Sequence, residues 1–390
     1  MLDTKASVCI VAVGYNRPGA MERLLRSLAR ANYDGDTVDL KISLDRGARQ
    51  QEIVAVAEAF EWKYGSKEIR AFPERQGLRS HILQCGDYVA DYDAIVVLED
   101  DITVSDGFYS YVKQSVAFYG NDPKIAGISL YKHHINVGVG HFFEPEFNGF
   151  DAFLMQFAQS WGECWTKDMW NKFRQWYAEN EKTVFAEDSE LLKRIPNNIL
   201  SWGNQSWMKY FMAYIADRDL YFVYPYHALS TNHAEIGQHN SVVSGDYQLA
   251  MATGCKDYRF PSFNDAVKYD IFFERIGCEL DKYAGKKVAL DLYGNKKNFD
   301  GFDILVSSAS REYEVLETWK LKYRPQEVNC RYPEVGEGLF VYDLHQPSKA
   351  PKALSANIRT RYDTRAISMR KILKLGLTGV WNMVVSKLKK

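Results

Sequence analysis

Ala94-Ile-Val-Val-Leu-Glu-Asp-Asp-Ile-Thr-Val104 is the stretch on which the fold turns. Ala94 to Leu98 is a short, continuous apolar run of the buried-strand type, and it leads directly into Glu99-Asp100-Asp101. Three adjacent acids after a buried strand repel one another and lower stability unless a cation or hydrogen-bond donors neutralise them. A hard divalent ion, Mg2+ or Mn2+, meets that need. It prefers oxygen, takes one or two protein carboxylates, and fills its other positions with water and phosphate oxygens. The competing reading is that the acids cap a helix beginning near Asp106, because acids are favoured at helix N-termini. The strand context favours the metal and phosphate site.

The same alternation extends back to the N-terminus. Val8-Cys-Ile-Val-Ala-Val13 reads as a buried strand, and Gly14-Tyr-Asn-Arg-Pro18 breaks it. Pro18 suits the first turn of a helix whose Met21, Leu24, Leu25 and Leu28 lie on one face. A strand over Leu40 to Leu44 ends in Asp45-Arg-Gly47. A helix bearing Ile53, Val54, Ala57 and Phe60 follows, then a strand near Ile69 to Phe72 and a helix from about Leu78 to Val89. Strands separated by helices of this length imply parallel pairing with right-handed crossovers. Ligands of such sheets bind beyond the carboxyl ends of the strands, which selects the loops at 14–18, 45–47 and 99–101.

Composition bounds the rest. With 390 residues, 46% of them hydrophobic, the chain can bury one large core or a core with an appended unit. The load of 25 Tyr, 21 Phe and 9 Trp fits core packing as well as stacking on a ligand. Six cysteines without a CxxC pair suggest neither a zinc site nor a disulfide framework. Nothing before Val8 reads as a secretion signal, so cytoplasmic residence is expected. From Lys352 to Lys390 there are ten Lys or Arg and one acid, leaving a tail of about +9 on a body of about −10. The best apolar run, Ile372 to Val385, is interrupted by Lys374 and Asn382 and is too short to span a bilayer.

Val8–Leu28, Ser43-Leu-Asp-Arg-Gly47 and Ala94–Val104 together resemble the nucleotide-sugar half of GT-A glycosyltransferases, of the N-acetylglucosaminyltransferase I type and the bacterial family-two-like type. Ser160-Trp-Gly-Glu-Cys-Trp-Thr-Lys-Asp-Met-Trp170 resembles the Trp-Gly segment of their acceptor half, and Tyr224-Pro225 through His239 their closing segment. The resemblance implies that Arg17 and Asp45 lie at the base and ribose of a nucleotide and Arg79 near the sugar or diphosphate. It implies that Glu99 and Asp100 hydrogen-bond the donor sugar and ribose, Asp101 holds the metal, and His239 is a second metal or diphosphate ligand, with His233 its nearest rival. The general base is where the sequence departs from the pattern. Ser201-Trp-Gly-Asn-Gln-Ser-Trp207 carries no acid where the first type has an Asp, whereas Glu187-Asp188 resembles the acid pair that the second type places at a helix start. Asp188 is thus the expected base, with Glu187 beside it and Glu163 as runner-up.

The expected architecture is α/β. A GT-A domain over 1–250, with a Rossmann-like, mostly parallel sheet and helices on both faces, precedes a small C-terminal α/β extension over 251–345. Within the extension Arg311–Tyr323 is helix-like. A linker and a basic amphipathic tail fill 346–390. In that tail Met369, Ile372, Leu373, Leu377, Val380, Trp381, Val384 and Leu388 form one helical stripe among basic residues, which reads as an anchor on an anionic membrane surface, the competing reading being a terminal helix docked on the acidic body. The implied function is metal-dependent, inverting sugar transfer from a nucleotide-sugar donor, UDP-linked by preference, to a glycan or lipid-linked acceptor. No nucleic-acid partner is implied. The alternatives are a glycan-binding scaffold on the same fold, or a sugar-nucleotide nucleotidyltransferase, although Gly14–Gly19 is too short for the latter's phosphate loop.

Overall fold

The computed structural model describes residues 6–233, 235, 245–365 and 367–388. It divides into two compact units, Met1–Gly138 with Pro145–Ile276, and Val139–Glu144 with Gly277–Lys390.

The first unit opens with β1 (Val8–Gly14), α1 (Pro18–Arg30), β2 (Asp39–Leu44), α2 (Gln50–Ala59), β3 (Lys67–Ala71), α3 (Leu78–Gly86) and β4 (Ala94–Glu99). These strands pair in parallel in the order β4-β1-β2-β3. Every residue of β1 is buried, as befits a central parallel strand covered on both faces. Met21, Leu24, Leu25 and Leu28 bury the inner face of α1 behind Pro18. The helix predicted to reach Val89 ends at Gly86 and gives way to a 3-10 turn over Asp87–Asp91. A Cβ at Gly86 would lie 1.9 Å from the Trp170 ring, so only glycine admits that ring against α3.

Beyond β4 come β5 (Ile102–Val104), α4 (Phe108–Tyr119), β6 (Ile125–Ser129) and β7 (Ile135–Asn136). Strand β8 (His141–Phe142) belongs to the second unit. The first unit resumes with β9 (Ala152–Met155), β10 (Glu163–Thr166), α5 (Lys167–Asn180), α6 (Leu191–Arg194), α7 (Asn197–Leu200), α8 (Trp207–Arg218), β11 (Tyr221–Pro225), β12 (Ser230–Asn232) and β13 (Lys268–Tyr269). The main sheet has nine strands, ordered β13-β9-β11-β6-β10-β4-β1-β2-β3. Its N-terminal half, β1 to β4, is wholly parallel. β10, however, runs antiparallel to both neighbours, β4 and β6, and β9 runs antiparallel to β11. The sheet is therefore mixed, with parallel pairing in the majority. A separate ladder joins β5 to β12, with Asn232 opposite Ile102. Compared with the sequence boundary at 250, this unit runs on to Ile276, because β13 pairs with β9 at the sheet edge.

The second unit contains β14 (Val288–Asp291), β15 (Ile304–Ser307), β16 (Tyr313–Lys320), α9 (Val328–Arg331), β17 (Gly338–Pro347), α10 (Ala356–Thr364) and α11 (Met369–Leu388). Its sheet is ordered β14-β15-β17-β16. Leu290, Leu292, Val306, Trp319 and Val341 pack on one face, and Ala289, Leu305, Phe340 and Tyr342 on the other. The helix expected over 311–323 is strand β16. Tyr313, Val315, Thr318 and Trp319 are β-formers, and the long neighbour β17 supplies the ladder. The expected linker at 346–351 is held as well: β17 continues to Pro347, Ser348 N donates to Glu312 O, and Ser310 Oγ donates to Pro351 O. Helix α10 is packed through buried Tyr362, and Asp363 accepts from His141 Nδ1 at 2.8 Å. In α11 the apolar side chains of Leu373, Leu377, Val380, Trp381 and Val384 are exposed.

Candidate active site

The loops after β1, β2 and β4 converge at the carboxyl end of the parallel half of the sheet. Asp45 N donates to Gly14 O at 3.0 Å, which ties the first two. At the end of β4 the three acids separate by the alternation of an extended chain. Glu99 shares a face with Val97, and Val97 stands opposite Glu163 of β10, so Glu99 and Glu163 face the same side. Glu163 is wholly buried and neither of its oxygens has a hydrogen-bond partner. Burial, then the Glu99 charge, pushes its carboxyl well above the usual range. Glu99 is raised in the same direction by burial and by Asp101 and Asp100. Two such carboxyls side by side disfavour each other's charged form.

Asp100 and Asp101 engage Arg17, which stands just before α1. Arg17 Nη2 donates to Asp100 Oδ1 and lies 3.6 Å from Asp101 Oδ2. Burial pushes the Asp100 carboxyl up to about 6, against the opposing pull of Arg17. Burial alone would depress the Arg17 guanidinium, but Asp100 and Asp101 outweigh it and raise it. Asp100 Oδ2 and Asp101 Oδ1 remain buried without a partner. Free carboxylate oxygens are the donor type a hard cation takes, and one or two carboxylates suffice when phosphate supplies the rest. Among the described residues no group of three or more His, Cys, Asp or Glu forms a closed metal cage.

The β5–β12 ladder brings a histidine to this spot. His233 N donates to Asp101 O at 2.9 Å, and its Nε2 lies 3.2 Å from Thr103 Oγ1. Burial and Arg23 lower the imidazole below its ordinary value. Glu235 accepts two hydrogen bonds from Arg23 of α1, at 2.7 and 3.1 Å, and so fastens the same segment. His239 lies outside the described residues.

Asp45 is buried and already well used. Oδ1 accepts from Arg46 N at 2.8 Å and Gln76 N at 2.7 Å, and Oδ2 from Gly77 N at 3.0 Å. It clamps the turn before α3, leaving about one of its four lone-pair positions for a ligand. Arg79, on the first turn of α3, lies 4.9 Å over the Tyr210 ring of α8, and Phe185 packs on Tyr210 edge-on. Arg75 similarly covers Tyr15 at 5.5 Å. Glu187 and Asp188 are exposed in the turns between α5 and α6, two and three residues past Phe185. They therefore stand in a loop rather than at a helix start, because Ser189 and Glu190 intervene before α6. The acid-free stretch Ser201–Trp207 leads into α8, whose N-cap is Ser206, and Gln205 Oε1 comes within 3.3 Å of a Cβ built on Gly77.

Arg17, Asp100 and Asp101 are thus brought together, with Glu99 and Glu163 beneath them. Arg79 and the Glu187–Asp188 loop share Tyr210. His233, Glu235, Arg23, Arg75 and Tyr210 were not singled out as the site's residues by sequence reasoning, apart from His233 as the rival of His239. The ladder that places His233 joins residues far apart in the chain.

The chain matches no family model and no curated protein. Among solved structures it is similar to the mannosyltransferase PcManGT from Pyrobaculum calidifontis in complex with GDP-Man and Mn2+, at 11% identity over 44% of this chain and 49% of that one, with a TM-score of 0.31. It is also similar to S. aureus TarS 1-349 in complex with UDP-GlcNAc, at 12% identity over 60% of each chain, with a TM-score of 0.37. The matched segments span about half to three fifths of those chains.

Proposed function

We propose that the chain is a metal-dependent GT-A glycosyltransferase that moves a sugar, with inversion, from a nucleotide diphosphate to a glycan or lipid-linked acceptor of surface-polysaccharide synthesis. UDP-sugars are the favoured donors. The observation that carries the reading is the pair Asp100 and Asp101 at the carboxyl end of β4, each with one oxygen toward Arg17 and one buried oxygen unpartnered. Asp101, with Asp100 beside it and a histidine of the 233–239 segment, would hold a divalent ion, which neutralises the departing diphosphate as a Lewis acid.

The other roles belong to the chain itself. Arg17 and Arg79 offer forked guanidinium donors to diphosphate oxygens. Glu99, at the end of β4, hydrogen-bonds the donor sugar. Asp45 fixes the turn that carries Gln76 and Gly77 toward the nucleotide. Asp188, exposed and with Glu187 beside it, takes the proton of the acceptor hydroxyl as that oxygen attacks the anomeric carbon opposite the leaving diphosphate. Glu163 does not suit that part, because it is sealed between β4 and β6 and an acceptor cannot reach it.

Helix α11 supports a station on the cytoplasmic face of an anionic membrane. It carries no acid, exposes Leu377 and Trp381, and begins with exposed Arg370, Lys371 and Lys374. No helix among the described residues is long and apolar enough to cross a membrane. The test of the function is a screen of UDP- and GDP-sugars for Mn2+-dependent release of nucleoside diphosphate by the purified chain. Pyrophosphate release would instead indicate a nucleotidyltransferase, and no release from any donor a binding or scaffold protein.

A further inference from the structure

We infer that Arg17 is a built-in stand-in for the divalent cation, occupying its carboxylates until a diphosphate draws the guanidinium away. This rests on the metal reading above and adds an order to it. Arg17 Nη2 binds Asp100 Oδ1 and approaches Asp101 Oδ2, so one guanidinium bridges the two acids that would hold the ion. The layering is informative: the Arg17 side chain is 28% exposed, against 5% for Asp100 and 17% for Asp101. The cation is the lid and the acids are the floor.

An ion arriving alone on the free oxygens of Asp100 and Asp101 either sits beside the Arg17 charge or displaces it from Asp100, and both cost it affinity. When a diphosphate arrives with the ion, the displaced Arg17 gains phosphate oxygens that its planar fork matches. Ion and diphosphate therefore bind with positive coupling, and by linkage each strengthens the other by the same factor. Arg17 is held mainly by Asp100, so Asp101 is the acid more easily freed for the ion.

The test is Mn2+ binding followed by the electron paramagnetic resonance of free Mn2+, with and without UDP, so that no turnover is needed. For the unaltered chain UDP should tighten Mn2+ about tenfold or more, within the usual range of such couplings. Arg17→Met should tighten Mn2+ alone by about tenfold, because the competitor is gone, and shrink the effect of UDP. Arg17→Lys keeps a charge without the fork and should fall between the two; it also serves if the Met variant does not fold. Folded Arg17 variants that bind Mn2+ no tighter than the unaltered chain overturn the inference alone. If neither the chain nor its variants bind Mn2+ under any condition, the inference and the metal part of the proposed function fall together.

Discussion

Asp100→Asn should make the protein's stability lose part of its dependence on pH, by an amount that the site's burial sets. In the folded chain the Asp100 carboxyl is raised from 3.8 to about 6, chiefly by burial. Between those values the unfolded chain has released the proton and the folded chain still holds it. Stability contributed by the protonated form is complete below 3.8 and is lost as pH climbs through about 6. A difference of about two pKa units corresponds to roughly 3 kcal/mol. Asparagine stays neutral, so the variant escapes this loss, and whatever fixed cost it has from leaving Arg17 less well paired is the same at every pH. The gap in unfolding free energy between variant and unaltered chain should therefore shift by about 3 kcal/mol in the variant's favour from pH 4 to pH 7.5. Urea titrations read by the fluorescence of buried Trp165, Trp170 and Trp207 would measure it in the first unit, where relief of Glu99 from the Asp100 charge acts in the same direction. Two stability curves that stay parallel over that interval would show that Asp100 is not held in a desolvated, proton-retaining site.

Asp101→Asn should abolish Mn2+-stimulated donor hydrolysis while leaving the fold intact; near-normal turnover at low Mn2+ would refute the ligand assignment. Asp188→Ala should lower the rate of transfer by about a hundredfold or more with donor affinity kept, as expected for a general base, whereas Glu163→Gln should keep most of its turnover. The reverse pattern in steady-state kinetics would move the base to Glu163. Gly86→Ala should cost about 1–3 kcal/mol by overpacking against Trp170, and since α3 carries Arg79 it should also raise the donor KM; an unchanged melting temperature would contradict the packing. A chain ending at Arg365 keeps α10 and should stay folded and hydrolyse donor, yet no longer pellet with anionic vesicles at low salt, whereas the full chain should pellet and be released by high salt. Equal pelleting of both chains would remove α11 from that role.

What the sequence makes legible is contiguous. The Ala94–Leu98 run with its three acids, and Val8–Val13 with the helix behind Pro18, each carry their signal within about twenty residues, and each forms as expected. Distant pairing leaves no such mark. Glu163 reads as an acid beside tryptophans, and only the antiparallel insertion of β10 between β4 and β6 buries it next to Glu99. Arg23 meets Glu235 across 212 residues of chain, and His233 reaches Asp101 through a three-residue ladder too short to be seen in advance. β16 failed for a different reason. Tyr313, Leu316 and Trp319 recur at helical spacing, but one buried residue, Trp319, anchors the segment, and its neighbour decides the rest. The expected linker rests on two prolines, and what holds it are a backbone hydrogen bond to Glu312 and the distant Ser310 hydroxyl, neither of which leaves a local mark.

The division of the chain carries a consequence for how it is made. Residues Val139–Glu144 belong with Gly277–Lys390, so the second unit borrows six residues from inside the first. Phe142 O accepts from Tyr293 OH at 2.9 Å, and His141 meets Asp363. On a ribosome this hexapeptide emerges more than a hundred residues before Tyr293 and more than two hundred before Asp363. Until synthesis nears its end it must wait without the second-unit residues it joins in the finished chain. Domains generally fold in the order they are synthesised, and here the second can only finish last. A gene fragment stopping at Ile276 would carry the hexapeptide without the rest of its unit, and one starting at Gly277 would lack it, so neither piece reproduces the unit as it stands in the whole chain.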